Sequence, residues 1–147
     1  MIRESRMLFV VSAGNGDESG LGRNIDQNPT YPAAYSAPNL ISVANLMFDG
    51  TLAESSNYGA VNVNLAAPGS YILSTVSDGY GFMSGTSMAA PMVTGAAALI
   101  YSCRTDMNLS DVRTAILNTT TPGEALYGRV STGGRLNVYG AITYHQQ

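Results

Sequence analysis

Gly85-Thr86-Ser87-Met88-Ala89-Ala90-Pro91 is the stretch on which the reading of this chain turns. Beyond it, Met, Ala, Val, Leu and Ile occupy nearly every side of residues 87–101, which predicts a helix buried all round. Pro91 falls near its start, where a proline is tolerated. The small residues before it make a tight turn that delivers the Ser87 hydroxyl to the helix N-terminus. There the unpaired backbone N–H groups and the positive end of the helix dipole favour developing negative charge. Ala89 and Ala90 let other backbone approach closely. A serine so placed has two readings: a cap for its own helix, or a nucleophile beside an anion-stabilising helix end.

Working outward, Ser77-Asp78-Gly79-Tyr80 is a hairpin signal between extended runs at 71–75 and 81–83. Residues 62–66 read as a strand ending at Pro68-Gly69, and residues 40–46 as another. The short apolar run 7–12 has the pattern of a strand buried on both faces. A Gly/Asn/Asp/Ser-rich loop follows it, then a stretch punctuated by Pro29, Pro32 and Pro38. On the other side, Ser110-Asp111 caps a second helix through Asn118, residues 119–134 form a loop, and 137–144 a short terminal helix. Strands alternating with a buried helix predict an α/β layer architecture in one domain, residues 1–147.

The 147 residues are enough for one domain with a real core. Charged residues are 12 % of the chain, against about 25 % on average. A net charge of −3 argues against nucleic acid as a partner, because phosphate binding needs a basic surface. The lone Cys103 excludes an internal disulfide framework and a multi-cysteine zinc site. The most apolar run, 88–101, is broken by Pro91, Thr94 and Gly95 and is too short to cross a bilayer, so no membrane partner is expected. The first residues include Glu4 and lack the apolar stretch of a signal peptide.

Asn15, in Val10-Val11-Ser12-Ala13-Gly14-Asn15, is the second chemical candidate. Its amide N–H₂ can donate to an oxyanion without carrying charge. The plainer reading is a turn asparagine within Gly14-Asn15-Gly16. A phosphate-binding glycine loop is the rival class, but Asp17 and Glu18 would repel phosphate and the chain has no lysine.

The seven residues 85–91 closely resemble the nucleophile motif of the subtilisin-like serine proteases. Other stretches are similar to that family's landmarks in the same order: Val10 to Asn15, Tyr31-Pro32-Ala33-Ala34, Asn39-Leu40-Ile41-Ser42-Val43-Ala44, Ser55-Ser56-Asn57-Tyr58-Gly59, Leu65-Ala66-Ala67-Pro68-Gly69 and Gly133-Gly134-Arg135-Leu136-Asn137-Val138. The resemblance covers nearly the whole chain but only the C-terminal half of the family's catalytic domain. It implies a three-layer α/β sandwich with a mostly parallel sheet, present as its C-terminal portion. It further implies a serine endopeptidase in which Ser87 is the nucleophile, and Asn15 with the Ser87 backbone N–H forms the oxyanion hole. Ser12, Ala13, Gly14 and Thr30 would line part of the pocket for the side chain before the scissile bond. The expected partners are a peptide or protein substrate and the N-terminal half of the domain, and the expected location is secreted or extracellular. No cofactor is needed for catalysis. Structural calcium is common in the family, but no acidic cluster with ligand spacing is present, so no metal site is assigned.

A serine hydroxyl needs a base, and the base an orienting carboxylate. The family takes these from an Asp-Thr/Ser-Gly motif and a His-Gly-Thr motif, and neither occurs here. The six aspartates lie in turn or cap contexts, and the only histidine, His145, sits in the polar tail Tyr144-His145-Gln146-Gln147. The chain by itself is therefore expected to be inactive. Met92 stands where the family usually has a histidine that packs near the site. The alternative reading is a non-catalytic remnant or pseudoprotease that binds peptides or a partner chain.

Overall fold

The structure, a computed structural model, describes residues 2–145. Its centre is β2 (Leu40–Leu46), a seven-residue strand buried at every position. β1 (Phe9–Ser12) pairs with it on one side and β3 (Leu65–Pro68) on the other, both in parallel. A run as apolar as β2 suits a parallel sheet covered on both faces. The sheet is completed by two-residue strands β7 (Gly134–Arg135), parallel to β3, and β6 (Thr121–Pro122), antiparallel to β7, in the order β1-β2-β3-β7-β6. β3 starts three residues later than the apolar pattern suggests. The Asn64 side chain accepts the Ser42 N–H at 2.8 Å in place of a strand carbonyl, and the Asn62 N–H goes to Asp26.

β1 corrects the expectation of a strand buried on both faces. It begins at Phe9, is half-buried throughout, and lies at the sheet edge with Met7 exposed before it. α1 (Thr86–Cys103) packs on β1, β2 and β3 through Ala89, Val93, Ala96, Ala97 and Ile100. The expectation of a helix buried all round fails too: Ser87, Pro91, Thr94, Gly95, Ala98 and Leu99 form an exposed stripe at helical spacing. The residues are apolar enough for a covered helix, but within this chain only one side has a layer to meet.

α2 (Leu109–Asn118) is capped by Asn108, not by Ser110-Asp111. The Asn108 side chain accepts from Ser110 N and Asp111 N, while the Asp111 carboxylate accepts from Asn108 N at 2.9 Å, a reciprocal capping box. α3 (Val138–Ile142), capped by Asn137, is shorter than expected, and the 119–134 loop contains β6 and a 3₁₀ turn, Glu124–Leu126. β4 (Ile72–Val76) and β5 (Gly79–Met83) form the expected antiparallel hairpin, which carries Leu73, Tyr80 and Phe82 exposed.

Strand alternation sorts the core into two clusters. Ile41, Val43 and Leu65 face the helices with Val93, Ile100, Val112 and Ile116. Ala44, Leu46 and Ala66 face the other way, onto Ile25, Val63, Leu126 and Val130 from the connecting segments. Helices, sheet and an irregular layer make up the sandwich, with a mostly parallel sheet as expected. The C-terminal ends of β1 and β3 both deliver chain to the N-terminus of α1.

Candidate active site

At the end of β1, after Ser12, the chain leaves the sheet. Ala13 is buried, and its N–H donates to Val43 O at 2.9 Å. Gly14 (φ 98°) and Gly16 (φ 79°) bracket Asn15 in backbone conformations that favour glycine. The Gly14 N–H donates to Thr86 Oγ1 at 3.2 Å. Asn15 Oδ1 accepts from both the Thr86 N–H, at 2.9 Å, and the Thr86 hydroxyl, at 3.0 Å. With its carbonyl held by Thr86, the Asn15 amide turns its Nδ2 donors away from that bond.

The other half of the site is the start of α1. Its N-cap is Gly85, which makes no side-chain cap bond, so the cap position is not Ser87's. Thr86 is fully buried, and Ser87 is exposed in the first turn. Gly85 has φ 149° and donates its N–H to Gly69 O at 2.8 Å. A Cβ on Gly69 would lie 2.7 Å from Gly85 O, so the Leu65 to Gly69 segment presses backbone against backbone under the serine turn. Both candidates depart from the plainest pattern. Ser87 does not cap its helix, and Asn15 reaches a residue 71 positions away instead of bonding within its own turn.

Of the residues expected to line the substrate pocket, Ser12 ends β1, Ala13 and Gly14 follow it, and the Thr30 hydroxyl approaches Ala13 O at 3.5 Å. Three of them lead directly into Asn15, and Thr30 meets that segment at Ala13. His145 lies elsewhere. The Arg104 guanidinium, just past the far end of α1, bonds Tyr144 O at 3.0 Å, and His145 shares a cleft there with Arg104 and Asp106. At 1.5 Å per residue, α1 separates that cleft from Ser87 by roughly 25 Å. Met92 is half-buried against the helix-side core.

Two residues of the site escaped the sequence reading. Thr86 sits inside the serine motif, but its hold on Asn15 depends on a contact across the chain. Asn57, within Ser55 to Gly59, is 2 % exposed and bonds the Asn15 loop at several points. Its only sequence signal was membership of a familiar stretch.

Two carboxylates of the segment after Asn15 are already committed. Hydrogen bonds from Ser19, hydroxyl first and then N–H, hold Asp17 below its ordinary range. Asp17 leads into a turn and not into a helix, which disposes of the phosphate-loop reading. Asp26 accepts the Val61 and Asn62 N–H groups with its two oxygens. Among the described residues no three His, Cys, Asp or Glu side chains converge. No helix among them is long and apolar enough to cross a membrane.

Comparison with known proteins points one way. Thermitase of Thermoactinomyces vulgaris is 39 % identical over 138 residues, covering 93 % of this chain and 44 % of that protein. The extracellular basic protease of Dichelobacter nodosus is also 39 % identical over 138 residues, covering 88 % of this chain and 20 % of its own length. A solved structure described as the structural basis of subtilase cytotoxin SubAB assembly superimposes with a TM-score of 0.78 at 26 % identity, covering 92 % of this chain and 48 % of its own. The chain thus spans less than half the length of each of these three relatives. With the model of the subtilase family matching residues 1–141, the chain belongs to that family, which is one of serine endopeptidases.

Proposed function

We propose that this chain is the nucleophile-bearing part of a serine endopeptidase domain. In the complete domain, Ser87 Oγ attacks a peptide carbonyl and passes its proton to a histidine held by an aspartate, both supplied by a complementary segment. The tetrahedral oxyanion rests on Asn15 Nδ2 and the Ser87 backbone N–H at the positive end of α1. Collapse expels the amine and leaves an acyl group on Ser87, which water then removes. Ser12, Ala13, Gly14 and Thr30 form one wall of the pocket for the residue before the cut. The observation that carries this reading is the pair of bonds from Thr86 to Asn15 Oδ1, which joins the proposed oxyanion donor to the residue before the proposed nucleophile.

The complementary segment completes the layer over the exposed stripe of α1 and the free edge of β1. The relatives' extra length supports this assignment. Two relatives are named as extracellular proteases, which supports secretion of the whole protein.

A second reading, a peptide-binding pseudoprotease, is favoured by one observation: Met92 stands in place of a histidine the family usually has there. Fluorophosphonate labelling separates the two. In the complete domain, a covalent adduct should map to Ser87 by mass spectrometry and vanish in Ser87→Ala. Peptide binding without any adduct would instead establish the pseudoprotease.

A further inference from the structure

We infer that Asn57 is a positioning residue for Asn15, holding the oxyanion donor in place by clamping the backbone on both sides of it. The inference rests on the reading of Asn15 given above.

The Asn15 loop has no regular structure of its own. β1 ends at Ser12, and glycines with positive φ stand immediately before and after Asn15, so the local backbone has little intrinsic preference for the shape it takes. What fixes the shape comes from elsewhere in the chain, and on this side of the loop it comes from one residue. Asn57 Nδ2 donates to Ala13 O at 3.0 Å. Asn57 Oδ1 accepts the Gly16 N–H at 3.0 Å and the Arg23 N–H at 2.9 Å. The Asn57 backbone N–H donates to Gly14 O at 2.8 Å. Ala13, Gly14 and Gly16, the neighbours of Asn15 in the chain, are therefore all tied to Asn57, while the Asn15 side chain is tied to Thr86.

The chemistry demands this residue type. Its place needs a donor toward Ala13 O and an acceptor toward two N–H groups, at 2 % exposure, where an unmatched polar group is costly. An amide supplies both in one planar group. The fit also explains Gly14: a Cβ there would stand 2.5 Å from Asn57 Nδ2. Asn57 is buried with both its side-chain polar atoms taken up by Ala13, Gly16 and Arg23, so it acts through Asn15 or not at all.

The discriminating variant is Asn57→Asp. It preserves shape and both acceptor bonds but sets a carboxylate oxygen against Ala13 O. In the complete domain, assayed with a chromogenic peptide anilide, it should lower kcat by about 10- to 100-fold with KM little changed, the size expected from a displaced catalytic donor. Placed in an Asn15→Ala background, the same change should cost less than about two-fold, because a positioning residue has nothing left to position. A purely structural Asn57 would cost the same in both backgrounds, and that result overturns the inference. If Asn57→Asp fails to fold, Asn57→Ser, which removes the bonds without adding repulsion, is put through the same cycle. Should Asn15→Ala alone leave kcat unchanged, the oxyanion reading is what has failed, and the cycle reports it separately.

Discussion

Asn15 accepts from Thr86 through its carbonyl, which leaves its amide donors for the oxyanion of the proposed function. Asn15→Ala in the complete domain should therefore lower kcat by about 10²–10³ while KM stays nearly constant, the range established for such a donor in a subtilisin. Ser87→Ala should remove more, since the covalent route goes with it. Steady-state kinetics on the two variants checks both, and a rise in KM alone for Asn15→Ala would return Gly14-Asn15-Gly16 to the status of a turn. At this scale the sequence was legible where the chemistry is local. Ser87 and Asn15 stand out because their immediate neighbours are themselves part of the signal. Thr86 and Asn57 do not, because their partners lie 71 and 41 residues away and nothing short of the fold brings them together.

Elements were legible where packing and propensity agree. β2 matches its apolar run to the residue because both its faces are covered. The N-terminus of α2 was misread because Asn108, Ser110 and Asp111 are all competent caps, and the choice fell to the reciprocal bond between Asn108 and Asp111. Asn108→Ala should accordingly cost about 1 kcal/mol of stability, read as a shift in the urea midpoint. Burial of α1 differs from its composition for the opposite reason: the residues are apolar on every side, yet only one side packs on the sheet. Gly95 lies on the exposed stripe, and a Cβ there meets nothing within 4 Å. Gly95→Ala should raise the stability of residues 1–147 by about 0.5–1 kcal/mol, as glycine replacement inside a helix does. Gly95→Leu should leave the isolated chain folded, yet prevent Ser87 labelling once the complementary segment is present. Normal labelling of that variant would mean the segment docks somewhere else.

The described residues form a sandwich with one side of α1 and the β1 edge uncovered. The stripe Pro91, Gly95, Ala98 and Leu99, the β1 edge and the hairpin residues Leu73, Tyr80 and Phe82 are open to solvent together. Exposed apolar surface of this kind drives association. Residues 1–147 alone should bind a hydrophobic dye and form concentration-dependent oligomers on size-exclusion chromatography. They should also leave a fluorophosphonate probe unreacted over minutes, since catalysis without a base is limited to about 10³–10⁴ over water. A monodisperse monomer with no dye binding would contradict this picture of the surface.

The bonds between Asn15 and Thr86 close a loop of 71 residues, and those residues include β2, β3 and the hairpin. Contacts so distant in sequence carry a large closure entropy and depend on the intervening sheet being in place. The Asn15 side chain therefore reaches Thr86 only once the core strands have assembled. On the function proposed above, activity therefore waits for the fold. A nascent or unfolded copy carries every residue of the motif without the arrangement that the proposed function needs.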